Sequence, residues 1–339
     1  RERERLHTMQ KFLGHHKSIR LSFIESRGQS VLSATPLIRK GEVVASYPEK
    51  SWKNYANDSI RNAKMEKVIL REKLEKLRDP ILMSLNLLNL ANEGDAYASV
   101  LKERYCNNDP NEHRHPLNWN DEEIHELKGT SVFESIVKRS VFWRDVYDRL
   151  GMDSENDFLW SVSQVLTRAV SGKDRPFTFV PGLCCFNHSE NPNAHIYYNE
   201  KNTFEVRASR DIDGIDEEIT ISYGENRSSA NFLLQYGFVP SSPTKNDVTP
   251  PIVVRNQTLT LPLHGFEQTL EVLRRTLESS VGFRDEFKKA CLSAIRSIEG
   301  TTEDDERILL NDDVTSSKRF AVMLRSRERS LLMKYYDGV

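Results

Sequence analysis

The stretch from Phe179 to Gly237 constrains this chain more than any other, because motifs with special backbone demands stand at both of its ends. At one end the run Val180-Pro181-Gly182-Leu183-Cys184-Cys185-Phe186 leads into Asn187-His188-Ser189-Glu190-Asn191-Pro192-Asn193. At the other, Glu217-Glu218-Ile219-Thr220-Ile221-Ser222 alternates as a strand does and ends on Tyr223-Gly224. Asn231-Phe232-Leu233-Leu234-Gln235-Tyr236-Gly237-Phe238 follows. An aromatic beside glycine at a strand end lets backbone approach a ligand closely. Alone, Asn-His-Ser reads as an Asx-type turn, and a tyrosine near a strand end as a packed amphipathic residue. Taken as a set, they point to one site.

The 339 residues suffice for two or three layers of core, arranged in two lobes. With 38% hydrophobic and 29% charged residues the composition is that of a soluble globular protein. A net charge of −2 argues against a dedicated nucleic-acid binder. No apolar run approaches the ~18 residues of a membrane span. Four cysteines, of which Cys184 and Cys185 are adjacent, give neither a disulfide framework nor a metal spacing. Free thiols fit a reducing compartment, so a cytoplasmic or nuclear location is expected. The start, Arg1-Glu2-Arg3-Glu4-Arg5, lacks methionine and reads as a helical lead-in or a truncated end, which leaves organelle targeting open. The sequons at Asn57, Asn187, Asn226 and Asn256 are read as chance matches to a short motif.

Along the chain, the runs 28–34 and 36–44 read as strands, with a hairpin about Lys40-Gly41. Residues 62–77 read as a mostly solvated helix with a thin stripe of Val68, Leu70, Leu74 and Leu77. Asp79-Pro80 starts a helix whose Ile81, Leu82, Leu85, Leu88 and Leu90 are expected to be buried. Ala98, Leu101 and Tyr105 belong to the next helix, and 106–114 reads as a loop. Asn120 is an N-cap with Glu123 at the capping-box position, and Gly129 ends that helix. A long helix covers 132–150, and Asp157 opens another in which Phe158, Trp160 and Leu166 are core. Residues 241–247 read as a linker, followed by strands at 252–254 and 259–263 and by three or four helices reaching Tyr336. Phe266, Leu270, Leu273 and Leu277 mark the first of these helices, and Phe283, Phe287, Cys291 and Ile295 the second.

The paired motifs resemble those of the SET-domain protein methyltransferases, in the branch of the Rubisco large-subunit and ribosomal-protein lysine methyltransferases. The string Leu117-x-Trp119 followed by Glu122-Glu123-x-x-x-Leu127-x-Gly129-Thr130 is similar to that branch's helical insert. The resemblance implies an α+β fold of small β-sheets. It places a SET domain at 16–240, interrupted by a mostly helical insert at about 55–155, and a helical substrate-binding lobe at 250–339. It also implies S-adenosylmethionine as cofactor and methyl transfer to a lysine amine of a non-histone protein, ribosomal or otherwise cytosolic. The expected protein is a monomer without metal, nucleic acid or membrane partner.

Such a transfer needs in-line geometry, a neutral nucleophile and exclusion of water. The lysine must lose a proton from a pKa near ~10.4, which burial in an apolar channel assists. Nearby rings favour the cationic donor by roughly 0.5–2 kcal/mol each. The resemblance assigns the roles. Arg27, Gly28 and Gln29 form the cofactor loop, and Arg168 pairs the cofactor carboxylate. Asn187 and His188 contact the cofactor mostly through backbone, and Phe238 lies on its adenine. Tyr223 is catalytic, near the transferring methyl, and Tyr236, thirteen positions on, caps the lysine channel. Ser228, Ala230 and Asn231 support the short helix between them.

The family's Gly-x-Gly departs here at Ser30, which implies a backbone that needs no positive φ there, or a remodelled loop. His188 is not read as a zinc ligand, since the cysteines beside it alternate across a strand and no second ligand pair exists. A relative that methylates an actin histidine carries an amide at the position of Val170; an apolar residue there favours lysine. The alternatives are a protein-histidine N-methyltransferase and a catalytically inactive SET-fold binding module.

Overall fold

The computed structural model describes residues 2–13, 18–24, 28–53, 55–57, 59–106, 114–172, 175–278 and 282–339. It divides into two compact units, one of residues 1–108 and 147–225, the other of 109–146 and 226–339. The stretch expected as the insert is thereby shared between them.

Small sheets form the first unit's framework. Ile19–Ile24 pairs antiparallel with Gly28–Ser33, and Thr203–Ala208 runs between Val43–Pro48 and Ala194–Asn199. The hairpin expected about Lys40-Gly41 does not form. The turn itself exists, with Glu42 N donating to Arg39 O at 3.0 Å and Gly41 at φ +85°. However, Leu37–Ile38 pairs with Ile212–Asp213, and Val43 pairs with Arg207. The incoming run is too short for a ladder of its own, so Ile38 and Val44 bury themselves in different sheets.

Two helices back these sheets. Arg78–Asn92 buries every residue from Ile81 to Leu88, so it is enclosed rather than amphipathic, while Leu90 is half-buried. It packs on Glu155–Arg168, which Ser154 caps by accepting from Asp157 N at 3.3 Å, so Asp157 lies inside the first turn. Phe158 and Trp160 are core as expected, and Leu166 is half-buried. In the helix Ser59–Arg71 Ile69 is buried, whereas Leu70, expected in the stripe, is exposed. Asn86, also buried, donates to Asn62 Oδ1 and Tyr55 O, both at 2.7 Å.

The second unit is mostly helical. The capping box is present in both halves: Glu123 N donates to Asn120 Oδ1 and Asn120 N to Glu123 Oε2, each at 2.9 Å. Phe133–Leu150 follows and runs on into the first unit. Ile252–Val254 pairs with Gln257–Leu259 across Arg255 and Asn256, at φ +49° and +64°. Two consecutive positive φ values are what a tight two-residue hairpin requires, so the second strand begins earlier than expected. The helices Phe266–Glu278, Phe283–Ser297, Thr302–Leu309 and Ser316–Gly338 complete the unit. Phe287, Cys291, Leu332 and Tyr335 are fully buried among them.

The expected linker is part of this packing. Asp247, buried, accepts from Ser229 N at 2.6 Å, from Ser229 Oγ at 2.8 Å and from Thr244 Oγ1 at 2.9 Å. A carboxylate with that many donors ties its segment down, whatever the local Ser-Pro composition suggests. Among the described residues no helix is long and apolar enough to cross a membrane.

Candidate active site

The first unit brings Gln29, Arg168, Asn187, His188 and Tyr223 together. Asn187 and His188 pair in parallel with Thr220 and Ile221, and Ser189 N continues the contact to Ile221 O at 3.1 Å. Two such short strands need side-chain help, and Asn187 provides it. Its amide nitrogen donates towards Gln29 O at 2.9 Å, Ser30 Oγ at 3.0 Å and Glu218 Oε1 at 3.0 Å. Asn193 acts likewise, donating to Glu218 O at 2.9 Å while accepting from Thr220 N at 2.8 Å. The amide nitrogen of Asn187 is therefore spent inside the protein. Ser30 is fully buried as one of its acceptors and sits in a regular strand opposite Ser22, so no positive φ is demanded there.

The His188 side chain is only 4% exposed. Its Nδ1 accepts from Tyr223 N at 3.1 Å, which places the ring proton on Nε2, directed to Glu190 Oε1 at 2.9 Å. Both ring nitrogens are thus engaged. Among the described residues no cluster of three His, Cys, Asp or Glu is arranged to hold a metal. The imidazole lies 5.4 Å from the Tyr223 ring, centroid to centroid. The half-buried Tyr223 is anchored at its other end, where its hydroxyl donates to Phe186 O at 2.8 Å.

Arg168 ends its helix where Ala169–Gly172 begins to pair with Arg175–Phe179. Its Nε donates to Gln164 Oε1 at 2.9 Å and Nη1 reaches Cys184 O at 3.5 Å. Burial alone would lower the guanidinium pKa, but the acidic neighbours Cys184, Tyr97 and Tyr223 raise it, so the cation persists. Its planar fork has the geometry to meet an oxyanion.

The two cysteines do not alternate across a strand. Leu183–Cys185 is a single 3₁₀ turn entered through Gly182 at φ +92°. A Cβ on Gly182 would lie 2.4 Å from Phe12 O, so glycine is required. The turn sets Cys184 Sγ 3.3 Å from the Tyr97 hydroxyl and Cys185 Sγ 3.7 Å from Gln29 Nε2. A hydrogen bond from Cys185, opposed by burial and assisted by Arg168 and Tyr97, pulls the Cys184 thiol down to about 5. Cys184, Tyr97, Asn193 and Glu218 were missed as site residues. The signal for Cys184 was its place between Arg168 and Asn187; for Tyr97, an aromatic in a distant helix, the sequence holds none.

Tyr236 and Phe238 belong to the second unit. Tyr236 ends the helix Ser229–Tyr236, which Ser228 caps by accepting from Asn231 N at 3.2 Å. Gly237 closes it at φ +80°, and a Cβ there would lie 2.9 Å from His115 Cα. The Tyr236 ring stands 6.1 Å from Phe232 and 6.3 Å from Phe238, with the Arg227 guanidinium 5.4 Å from its centroid. Of the expected cofactor loop, Gly28 and Gln29 lie at the start of their strand, while Arg27 falls outside the described residues, as do 107–113 of the expected loop at 106–114.

Comparison with known proteins adds the family. The SET-domain family model matches residues 30–224. The chain is 30% identical over 137 residues to "SET domain-containing protein 8" of Schizosaccharomyces pombe, covering 37% of this chain and 31% of that protein. It is 25% identical over 158 residues to the chloroplastic [fructose-bisphosphate aldolase]-lysine N-methyltransferase of Arabidopsis thaliana, covering 39% and 32%. The chain thus spans about a third of the length of the curated relatives it matches. Among solved structures, the SET domain of LSMT bound to lysine and AdoHcy superposes with a TM-score of 0.66 at 17% identity, over 98% of this chain and 90% of that one. Rubisco LSMT bound to AdoMet gives 0.63 at 19%, over 98% and 91%. These likenesses extend the shared α+β fold across both units.

Proposed function

The chain belongs to the SET-domain family, and we propose that it is an S-adenosylmethionine-dependent protein methyltransferase acting on a lysine of a non-histone protein. The observation that carries this reading is the cluster in the first unit, where Arg168, Asn187, His188 and Tyr223 stand on converging elements with their side chains fixed. S-adenosylmethionine, when bound, supplies a methyl group on a cationic sulfur. Arg168 fits that group's carboxylate, being a half-buried cation with a planar fork. Asn187 holds Gln29 and Ser30 against Glu218, so it shapes the cofactor loop from beneath and leaves direct contact to the backbone.

Tyr223 has its backbone N–H fixed by His188 and its hydroxyl fixed by Phe186 O, which holds the phenol oxygen in one place, where it can accept from a methyl or amine hydrogen. In the second unit, Tyr236, backed by the buried Phe232 and next to Phe238, supplies an aromatic wall for an unbranched side chain. Such surroundings disfavour an ammonium ion and help the lysine reach its neutral, nucleophilic form. Residues 250–339 act as the substrate-binding lobe. The relative named as an aldolase-lysine methyltransferase supports a non-histone target, and the solved neighbour bound to lysine supports the nucleophile.

Calorimetry with S-adenosylmethionine tests the proposal. Saturable binding by the folded protein is expected. No binding by a correctly folded sample would leave the inactive binding module as the better reading.

A further inference from the structure

The parallel contact of Asn187 and His188 with Thr220 and Ile221 ends two residues before Tyr223. Beyond it, the bond that holds the tyrosine backbone comes from a side chain: Tyr223 N donates to His188 Nδ1 at 3.1 Å. The same imidazole faces the phenol ring, with 5.4 Å between centroids. A neutral imidazole has two tautomers, and they are not equivalent here. With the proton on Nε2, Nδ1 offers a lone pair to the Tyr223 N–H. With the proton on Nδ1, two N–H groups would point at each other and the bond would be lost.

Glu190 selects between them. His188 Nε2 meets Glu190 Oε1 at 2.9 Å, and an ionised carboxylate only accepts, so the proton is held on that nitrogen. The turn that carries Glu190 is tied on both sides. Ser189 N donates to Ile221 O, and Asn191 N donates to Ser189 Oγ, each at 3.1 Å. The His188 side chain is 4% exposed and that of Glu190 42%. A carboxylate this exposed adds little to stability, so its effect is expected in the placing of the tyrosine.

We propose that Glu190 is a positioning residue for methyl transfer: it keeps the His188 proton on Nε2, and the Nδ1 lone pair then fixes the Tyr223 backbone and with it the direction of the phenol. Glu190 acts through His188 and moves no proton. The Tyr223 hydroxyl rests separately on Phe186 O at 2.8 Å, so slack at the backbone end tilts the ring and does not free it. The effect on turnover rests on the catalytic reading of Tyr223 proposed above; the hold on the tautomer does not.

Two variants test this. Glu190→Gln keeps an acceptor oxygen and loses the charge, whereas Glu190→Ala loses the acceptor. NMR of protein carrying ¹⁵N in histidine and tyrosine reads the His188 tautomer and the Tyr223 amide shift, at about pH 9, above the ordinary histidine range. The Nε2–H form is expected in the unaltered protein and in Glu190→Gln. Glu190→Ala should give a mixture of tautomers and a displaced Tyr223 amide. An Nδ1–H form in the unaltered protein, or no response to Glu190→Ala, overturns the proposal. Incorporation of label from saturating S-adenosylmethionine into extract proteins should fall about 3- to 10-fold in Glu190→Ala, the scale of one hydrogen bond. Cofactor affinity by calorimetry should be nearly unchanged, and Glu190→Gln should recover most of the rate. A merely structural role predicts a lowered melting temperature and no such recovery. A shifted tautomer with undiminished incorporation overturns the positioning role. If the unaltered protein transfers no methyl group while its tautomer still responds to Glu190→Ala, the proposed function fails, and the role in turnover with it, while the hold on the tautomer stands.

Discussion

The side-chain amide nitrogen of Asn187 stands 3.0 Å from the hydroxyl oxygen of Ser30. A serine where the family carries glycine thus acts as an internal acceptor, and the same amide serves Gln29 O and Glu218. Losing one partner of a buried hydrogen bond costs about 1–3 kcal/mol. Ser30→Gly should therefore lower stability by about that amount in thermal or denaturant unfolding. Asn187→Ala, which strands several acceptors at once, should lower it further and weaken cofactor affinity as the loop loosens. Unchanged unfolding of both variants would mean the clip contributes nothing.

Tyr223→Phe keeps the ring against His188 and deletes the hydroxyl that rests on Phe186 O. Cofactor affinity should be nearly retained while turnover falls by ~10² or more, the scale of losing one oriented polar group at a transition state. Wild-type turnover by the folded variant would remove Tyr223 from the chemistry.

Arg168→Lys preserves the charge and loses the planar fork. Calorimetry should show S-adenosylmethionine binding about 10- to 100-fold more weakly, as expected when a charged hydrogen bond worth about 1.5–3 kcal/mol is lost. Little change would assign Arg168 to the partners it already has, Gln164 and Cys184.

Stability should fall as pH rises, in one window, because of Glu328. This buried carboxyl accepts from Ser131 N at 2.8 Å and from Ser131 Oγ, and burial pushes its pKa up from 4.5 to about 8. The folded state then holds a proton that the unfolded state has released. The resulting cost is absent below about 4.5, grows through the interval and is complete above about 8. Glu328→Gln, which imitates the protonated acid, should leave the melting temperature nearly unchanged at pH 4.5 and raise it at pH 9. Melting curves of the two proteins at both pH values decide this.

Local rules found the elements whose determinants are local. Asn120 and Glu123 announced their capping box, and Phe158 and Trp160 their buried face, because cap chemistry and helical period act over a few residues. Pairing over long distances was not legible in the same way. Nothing near Leu37 says that its partner is Asp213, and nothing near Asp247 says that Ser229 will donate to it. The motif residues at Asn187, His188 and Tyr223 were visible as a set, although their immediate partners were not. Tyr97 was invisible, since its bond to Cys184 spans two elements that share no sequence pattern.

The most direct test of the whole account is to incubate the protein with isotopically labelled S-adenosylmethionine and a cell extract, then locate the label by mass spectrometry. Val170, half-buried in the strand after Arg168 and opposite Thr178, has no group to orient an imidazole. The account therefore predicts methyl groups on lysine side-chain nitrogens of a non-histone protein, with a rate that rises towards alkaline pH as the amine deprotonates. Label found on a histidine ring nitrogen, or no transfer by a protein that binds the cofactor, would contradict it.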